Sequence, residues 1–198
     1  KLLFRFFPAS PPAEFRALQK GTGIVIAGSA GIQVLENEIW EESDLDLYVE
    51  HPLNVGRVAD FVLSNGYISS LAKNELNRPT ERCFHSKRRT KQRCRIPMTS
   101  GTSQRFTHHL DPLARPKVHL GLPLQYVGRG PTILSVLAHH TAVVMNLITY
   151  PTIYSLYPHA TFQSGLNLHL MCDGREADQK TARAKYDQRG WTTVRVVE

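Results

Sequence analysis

Two aspartates separated by one residue, Asp44 and Asp46, are the side chains whose type and spacing most clearly indicate chemistry. They follow a short apolar run at residues 24–27, which breaks at Gly28 and Ser29. Because side chains alternate faces along a strand, the two carboxylates point to the same side of a strand at this position. Paired carboxylates beside a turn at a helix start can hold a divalent metal ion next to a phosphate group.

The surrounding sequence has the patterns of a sheet and helices that could position these residues. Apolar runs at 23–27 and 45–50 predict strands, and the segment 30–37 between them predicts a helix. The predicted fold class is α/β (α+β), a small mixed sheet with flanking helices in a single domain over residues 1–198. The remaining predictions are an irregular segment at 1–12, helices at 53–64, 131–147 and 178–189, and strands at 67–71, 117–122 and 192–197.

Gly28-Ser29, a helix-length spacer and Ser43-Asp44-Leu45-Asp46-Leu47 together resemble the signature of the nucleotidyltransferase (polymerase-beta-like) superfamily. The stretches 143–150 and 154–158 further resemble uncharacterised fungal proteins with this fold. The resemblance implies a nucleotidyltransferase-like fold that binds an NTP through Gly28, Ser29 and Ser43. It also implies Mg²⁺, or Mn²⁺ in its place, held by Asp44 and Asp46, and transfer of a nucleotide to a hydroxyl acceptor.

Active members of this superfamily use a third carboxylate on a neighbouring strand. The predicted strand at 117–122 contains a lysine and a histidine but no Asp or Glu. Asp111, just upstream, is the candidate for the third catalytic carboxylate if that strand begins earlier, and Glu42 and Glu50 are weaker candidates. Two alternatives therefore stay open. The chain is either a transferase, or a catalytically degenerate protein on the same fold that binds nucleotide, nucleic acid or a protein partner.

The net charge of +7 is concentrated in one segment of the chain. Between Arg78 and Arg95 there are eight basic residues and one acidic residue, which accounts for the whole excess. This segment lies in a predicted insertion at about 72–107, where no apolar periodicity is sustained. It predicts a nucleic acid partner through phosphate neutralisation, with a solvated loop or a nuclear localisation signal as the alternatives.

Composition excludes several other classes of protein. The chain has no apolar run approaching 18 residues, so we expect no membrane partner. Three distant cysteines favour a reducing compartment, cytoplasmic or nuclear, and a chain beginning at Lys1 suggests a fragment or a processed protein.

Two other motifs do not predict chemistry of their own. Gly28 to Gly31 lacks the Gly-Lys-Ser/Thr of a phosphate-binding P-loop. His139 and His140 fall in the predicted helix 131–147, where a structural role is favoured over a catalytic base.

Overall fold

A computed structural model describes residues 1–70, 103–108, 121–126, 131–170 and 176–195. The α-helices are α1 Leu2–Phe6, α2 Pro12–Thr22, α3 Ser29–Leu35, α4 Pro52–Ser64, α5 Thr132–Leu137 and α6 Glu176–Asp187. The strands are β1 Val25–Ala27, β2 Asp46–Val49, β3 Tyr67–Ser70, β4 Ser103–His108, β5 Gly121–Tyr126, β6 Asn146–Ile148, β7 Ile153–Ser155, β8 Leu166–His169 and β9 Thr192–Arg195. A 3-10 turn, Ala142–Val144, and a π-helical turn, His159–Gln163, complete the described elements.

Seven of the described strands form one mixed sheet in the order β3-β4-β5-β2-β1-β6-β7. The central strand β2 is antiparallel to β1 and parallel to β5, with Leu47 opposite Leu124. The strands β8 and β9 pair in parallel as a second, two-stranded sheet, with α6 as the connection between them. The predicted class, a mixed sheet with flanking helices, is confirmed at this level.

The two faces of β2 have different surroundings. Leu45, Leu47 and Val49 are fully buried on one face, where they pack with side chains from α1, α2 and α4. Asp46 and Tyr48 lie on the other face, and Tyr48 packs with Met145 and other residues near β6. The alternation predicted from the sequence therefore places a core on one side of β2 and the aspartates on the other.

The N-terminal segment differs from its prediction as an irregular lead-in. Residues 2–6 form α1, and Phe6 and Phe7 are fully buried in the core. The Phe7 ring stacks on Phe15 of α2 with centroids 5.0 Å apart. The apolar content of this segment thus stabilises a short helix through tertiary packing, which local periodicity over five residues cannot indicate.

The prediction of one helix over residues 131–147 is wrong. Helix α5 ends at Leu137, and the chain continues through the 3-10 turn into β6. Every residue from 141 to 148 is buried. An apolar segment that is buried on all sides has the same pattern as a helix or as a central strand, and its β-branched residues favour the strand.

The other predicted elements that fall on described residues agree within a few residues. Of the strand predicted at 117–122, residues 117–120 lie outside the described residues, and the last two belong to β5, Gly121–Tyr126. The end of the predicted insertion forms β4, while residues 71–102, including the basic segment, lie outside the described residues. In the described part of the chain, every helix is too short or too polar to cross a bilayer.

Candidate active site

Asp44 and Asp46 line a cavity of about 230 Å³ on their face of the sheet. Gly28 and Ser29, from the turn between β1 and α3, lie in the same wall. The structure therefore brings together four of the residues that the sequence indicated. The remaining lining residues come from parts of the chain far apart in sequence: Glu42, His139, His140, Thr141, Val144, Ala182, Lys185 and Tyr186.

Gly28 is the residue that lets the turn and the carboxylate approach each other. Its backbone has φ 72° and ψ −147°, a conformation that is essentially restricted to glycine. A β-carbon at this position would clash with Oδ2 of Asp46, which is held directly against the turn. Glycine is thus required at this position for two separate reasons, backbone conformation and the space occupied by the Asp46 carboxylate.

Ser43 is buried beneath the site, and its hydroxyl is used in internal hydrogen bonds. Its Oγ accepts from Nε2 of Gln33 at 2.8 Å and donates to the carbonyl of Trp40 at 2.9 Å. Nη1 of Arg5, in α1, donates to the Trp40 carbonyl at 2.6 Å and to Ser43 Oγ at 3.2 Å. These contacts give Ser43 a part in fixing the loop that leads into Asp44, and its predicted role in nucleotide binding stays a prediction for a residue that is 1% exposed and outside the cavity lining.

Gln33 is the centre of this support. Its Oε1 accepts from the amide of Trp40 at 2.9 Å, and its side chain is only 3% exposed.

Replacing Gln33 by leucine removes its hydrogen bonds to Ser43 and Trp40 and leaves the Trp40 amide unsatisfied. We expect a loss of about 2–3 kcal/mol in the free energy of unfolding. Chemical denaturation measures this loss, and the same change at the exposed Gln188 is the control. Equal effects at the two positions would contradict the role of Gln33.

The structure tests the three candidates for a third carboxylate unequally. Asp111 lies outside the described residues. Glu50 is already engaged elsewhere, because its Oε1 accepts a hydrogen bond from the backbone amide of Thr132 at 2.6 Å and so caps α5. Glu42 does line the cavity, but it is largely exposed. Strand β5, the parallel neighbour of β2, contains no Asp or Glu between Gly121 and Tyr126.

The donor set fits one divalent ion better than two. Carboxylate oxygens are the ligands that Mg²⁺ prefers, and Asp44 and Asp46 supply them from one wall. Among the described residues, no three His, Cys, Asp or Glu side chains are grouped so as to hold an ion together. Two carboxylates together with substrate phosphate oxygens and water are a sufficient set for a single Mg²⁺.

Another part of the cavity lining is formed by the segment from His139 to Thr141. The Thr141 side chain is 1% exposed, and its hydroxyl has no hydrogen-bond partner among the described residues. Nε2 of His140 is likewise buried without a partner in the described ranges. A buried polar group without a partner is costly, so these two groups are candidates to bind a water molecule or a polar ligand.

Both histidines of this wall are held in the neutral form near pH 7. Burial lowers the pKa of His139 against two backbone contacts that raise it. Burial also lowers the pKa of His140, and the nearby His139, His169 and Arg183 lower it further. Uncharged imidazoles add no positive charge, so any positive charge in the cavity must come from other side chains.

Helix α6 supplies the residues that sequence analysis missed. Lys185 and Tyr186 project from it into the cavity, where the sequence had indicated only an exposed charged helix. Burial raises the pKa of Tyr186 to about 12, so its hydroxyl stays protonated. The signal present in the sequence was the pair of large aromatics, Tyr186 and Trp191, at the end of an otherwise polar segment.

The end of α6 is fixed by an aromatic cluster. The rings of Trp40, Tyr186 and Trp191 pack edge to face, with centroids 6.0 to 6.4 Å apart. The Arg189 guanidinium lies 3.9 Å from the centroid of the Trp40 ring, and Trp191 donates to the carbonyl of Thr161 at 2.9 Å. These contacts join α6 to the loop before β2. The helix and the loop, which both contribute to the cavity lining, are therefore held together by the same aromatic cluster.

A second cavity, of about 320 Å³, lies between α1 and α3. Its lining includes Leu2, Val34 and Ile39, and Glu38 is the one acid among the described residues that line it. Arg5 also lines it, but the guanidinium of Arg5 already donates to the carbonyls of the loop before β2. Lys1 also lines it and donates to Oδ1 of Asn37 at 3.4 Å, but with a single acid among its described lining residues this cavity lacks the paired carboxylates of the first.

Comparison with known proteins adds no family assignment, since no family model matches the chain and no curated protein is significantly similar to it.

Proposed function

We propose that this protein is nucleotidyltransferase-like and binds an NTP together with Mg²⁺ or Mn²⁺ in the cavity beside Asp44 and Asp46. The observation that carries the proposal is the joining of those carboxylates with the Gly28–Ser29 turn in one cavity wall. The contact between Gly28 and Asp46 also supports it, because only glycine leaves room for a carboxylate so close to the turn.

The reaction proposed is transfer of the nucleotidyl group to a hydroxyl acceptor. The acceptor oxygen forms a bond to the α-phosphorus, and its proton passes to a carboxylate of the cavity. The bond from the α-phosphorus to the bridging oxygen breaks, and pyrophosphate leaves with the electron pair. A bound Mg²⁺ supplies charge stabilisation to the phosphate oxygens.

The residues of this chain would divide the work between two parts of the cavity lining. Asp44 and Asp46 would provide oxygen ligands from the sheet side, and the backbone of Gly28 and Ser29, in the same cavity lining, would contact phosphate. Elsewhere in the lining, the hydroxyl of Thr141 and the Lys185 ammonium are suited to bind anionic oxygens. The partly enclosed shape limits water around the phosphates, which strengthens these interactions.

A second candidate is a catalytically degenerate protein that binds nucleotide, nucleic acid or a protein partner on the same scaffold. It is favoured by one observation, the lack of any Asp or Glu in β5, the strand beside the aspartates. Nucleic acid contact through the segment from Arg78 to Arg95 stays a prediction from the sequence, since that segment lies outside the described residues. Such binding should weaken steeply as salt is added.

Labelled NTPs test the transfer reaction. We expect wild-type protein incubated with α-labelled NTP and Mg²⁺ or Mn²⁺ to release pyrophosphate and to pass label to a hydroxyl acceptor. The Asp44→Ala variant should lose about a hundredfold or more of this activity, because it lacks one of two metal ligands. Transfer that survives in this variant would rule out the proposed site. NTP binding without any transfer would favour the degenerate protein.

A further inference from the structure

We propose that the Lys185 ammonium takes the place of a second metal ion, so that the cavity holds a single divalent ion beside a fixed organic cation. This inference rests on the proposed function and specifies how its site is charged. Phosphoryl and nucleotidyl transfer commonly uses two metal ions that contact the attacking and leaving oxygens. Here one of those positive charges is built into α6.

The charges that line the cavity lead to this conclusion. Glu42, Asp44 and Asp46 are the acids of its lining, and Lys185 is its one ammonium. With Lys185 charged and the histidines neutral, two net negative charges remain, which one divalent ion neutralises. A second divalent ion would add two positive charges without further carboxylates among the described residues to hold it.

Lys185 lies within the electric field of all three acids. Partial burial of its ammonium lowers the pKa of Lys185, as does the nearby Arg189, while Asp44, Glu42 and Asp46 each raise it. These opposing effects are those of a cation that is partly desolvated and lies near the carboxylates that line the same cavity. The carboxylates therefore have a cationic neighbour before any metal ion binds.

The helix that carries Lys185 is anchored on both sides of that residue. Two residues before it, Nη1 of Arg183 donates to Nε2 of His169 at 2.6 Å, so the proton of that ring lies on Nδ1 and is donated to the His140 carbonyl. After it, Tyr186 is held in the aromatic cluster, and Asp187 accepts from the amide of Thr193 at 3.1 Å. The backbone of Lys185 is thus held in place, which keeps its side chain in the lining of the cavity.

The wall beside Lys185 independently indicates a ligand. Thr141 is almost completely buried, yet its hydroxyl has no partner in the parts of the chain that are described. It is held there by a β-bridge to His169, the residue that also contacts Arg183. A neutral hydroxyl and an ammonium that line one cavity are suited to bind the phosphate oxygens that a second metal ion would otherwise contact.

The test measures Mn²⁺ binding to the nucleotide-free protein by calorimetry, and then with a non-hydrolysable ATP analogue. We expect one Mn²⁺ per chain in both conditions. In Lys185→Gln, the loss of a competing cation should tighten Mn²⁺ binding about tenfold in the nucleotide-free protein. Affinity for the analogue should fall about tenfold, since a phosphate contact is lost.

Two control variants distinguish a specific role from a change in overall charge. Lys185→Arg keeps the positive charge and should bind Mn²⁺ within about twofold of wild type. Lys180, exposed on the same helix, is the matched position, and Lys180→Gln should leave both affinities unchanged. Circular dichroism of each variant shows whether α6 is intact.

The outcomes separate this inference from the proposed function. Two Mn²⁺ ions per chain, or the same Mn²⁺ affinity in Lys185→Gln as in wild type, would overturn the role of Lys185 while leaving a metal–nucleotide site in place. Absence of Mn²⁺ binding in wild type and in all variants would overturn both. Mn²⁺ binding that appears only in Lys185→Gln would also overturn the inference, because the ammonium would then exclude the one ion that it is proposed to accompany.

Discussion

Replacing Asp46 by asparagine should lower the Mg²⁺-dependent affinity for ATP by about a hundredfold or more, with little change in stability. Changes to groups that only support a metal ligand already cost 10- to 100-fold, and Asp46 is proposed as a ligand itself. Asparagine has the same shape, so the close approach to Gly28 is retained while the negative charge is lost. Calorimetric titration with a non-hydrolysable ATP analogue, with and without Mg²⁺, measures the effect.

The matched control for Asp46→Asn is the same change at Asp60, an exposed residue of α4. Asp60→Asn removes the same charge at a position outside the cavity lining and should leave the affinity unchanged. If Asp46→Asn bound the analogue as tightly as wild type in Mg²⁺, the carboxylates would not be metal ligands. If both variants weakened binding equally, the effect would come from overall charge.

Replacing Gly28 by alanine should lower the free energy of unfolding by about 2–4 kcal/mol and also abolish metal-dependent nucleotide binding. The φ and ψ angles at this residue are costly for any other amino acid, by about 1–3 kcal/mol. The added methyl group would in addition push the Asp46 carboxylate out of its position. Urea denaturation and the ATP-analogue titration measure the two effects separately.

Gly23→Ala separates the two causes of the Gly28 effect. Gly23 also has a positive φ, 69°, but a β-carbon there would have no neighbour within 4 Å. We expect a loss of about 1–2 kcal/mol in stability from backbone strain alone, with nucleotide binding intact. A Gly28→Ala variant that binds nucleotide like Gly23→Ala would show that the carboxylate does not need the space beside the turn.

The sequence was sufficient to predict the part of the site whose residues lie close together along the chain. Asp44, Asp46, Gly28 and Ser29 lie within 19 residues of one another, and strand alternation predicts which way the carboxylates point. The helix between them has the expected length. What a local pattern could not show was the burial of Ser43, because its partners Gln33 and Arg5 approach it from α3 and α1.

The other wall of the cavity could not be predicted, since it depends on long-range packing. The sequence predicts that the segment from His139 to Thr141 continues one long helix. Because α5 ends at Leu137, this segment instead turns towards the aspartates. Lys185 was indistinguishable from the other lysines and arginines of a polar helix. Its position is set by the contacts of Tyr186, Trp191 and Trp40, which join residues about 150 apart in the sequence.

Paramagnetic broadening by Mn²⁺ in amide NMR spectra tests the central claim most directly, because it locates the ion without assuming an acceptor or a reaction. With substoichiometric Mn²⁺ and an ATP analogue, the account predicts that the amides of Gly28, Ser29, Thr141 and Tyr186 broaden first. Those of α2, on the opposite face of the sheet, should broaden last, and Asp44→Ala should abolish the pattern. Broadening centred elsewhere, or unchanged in Asp44→Ala, would contradict a metal–nucleotide site at Asp44 and Asp46.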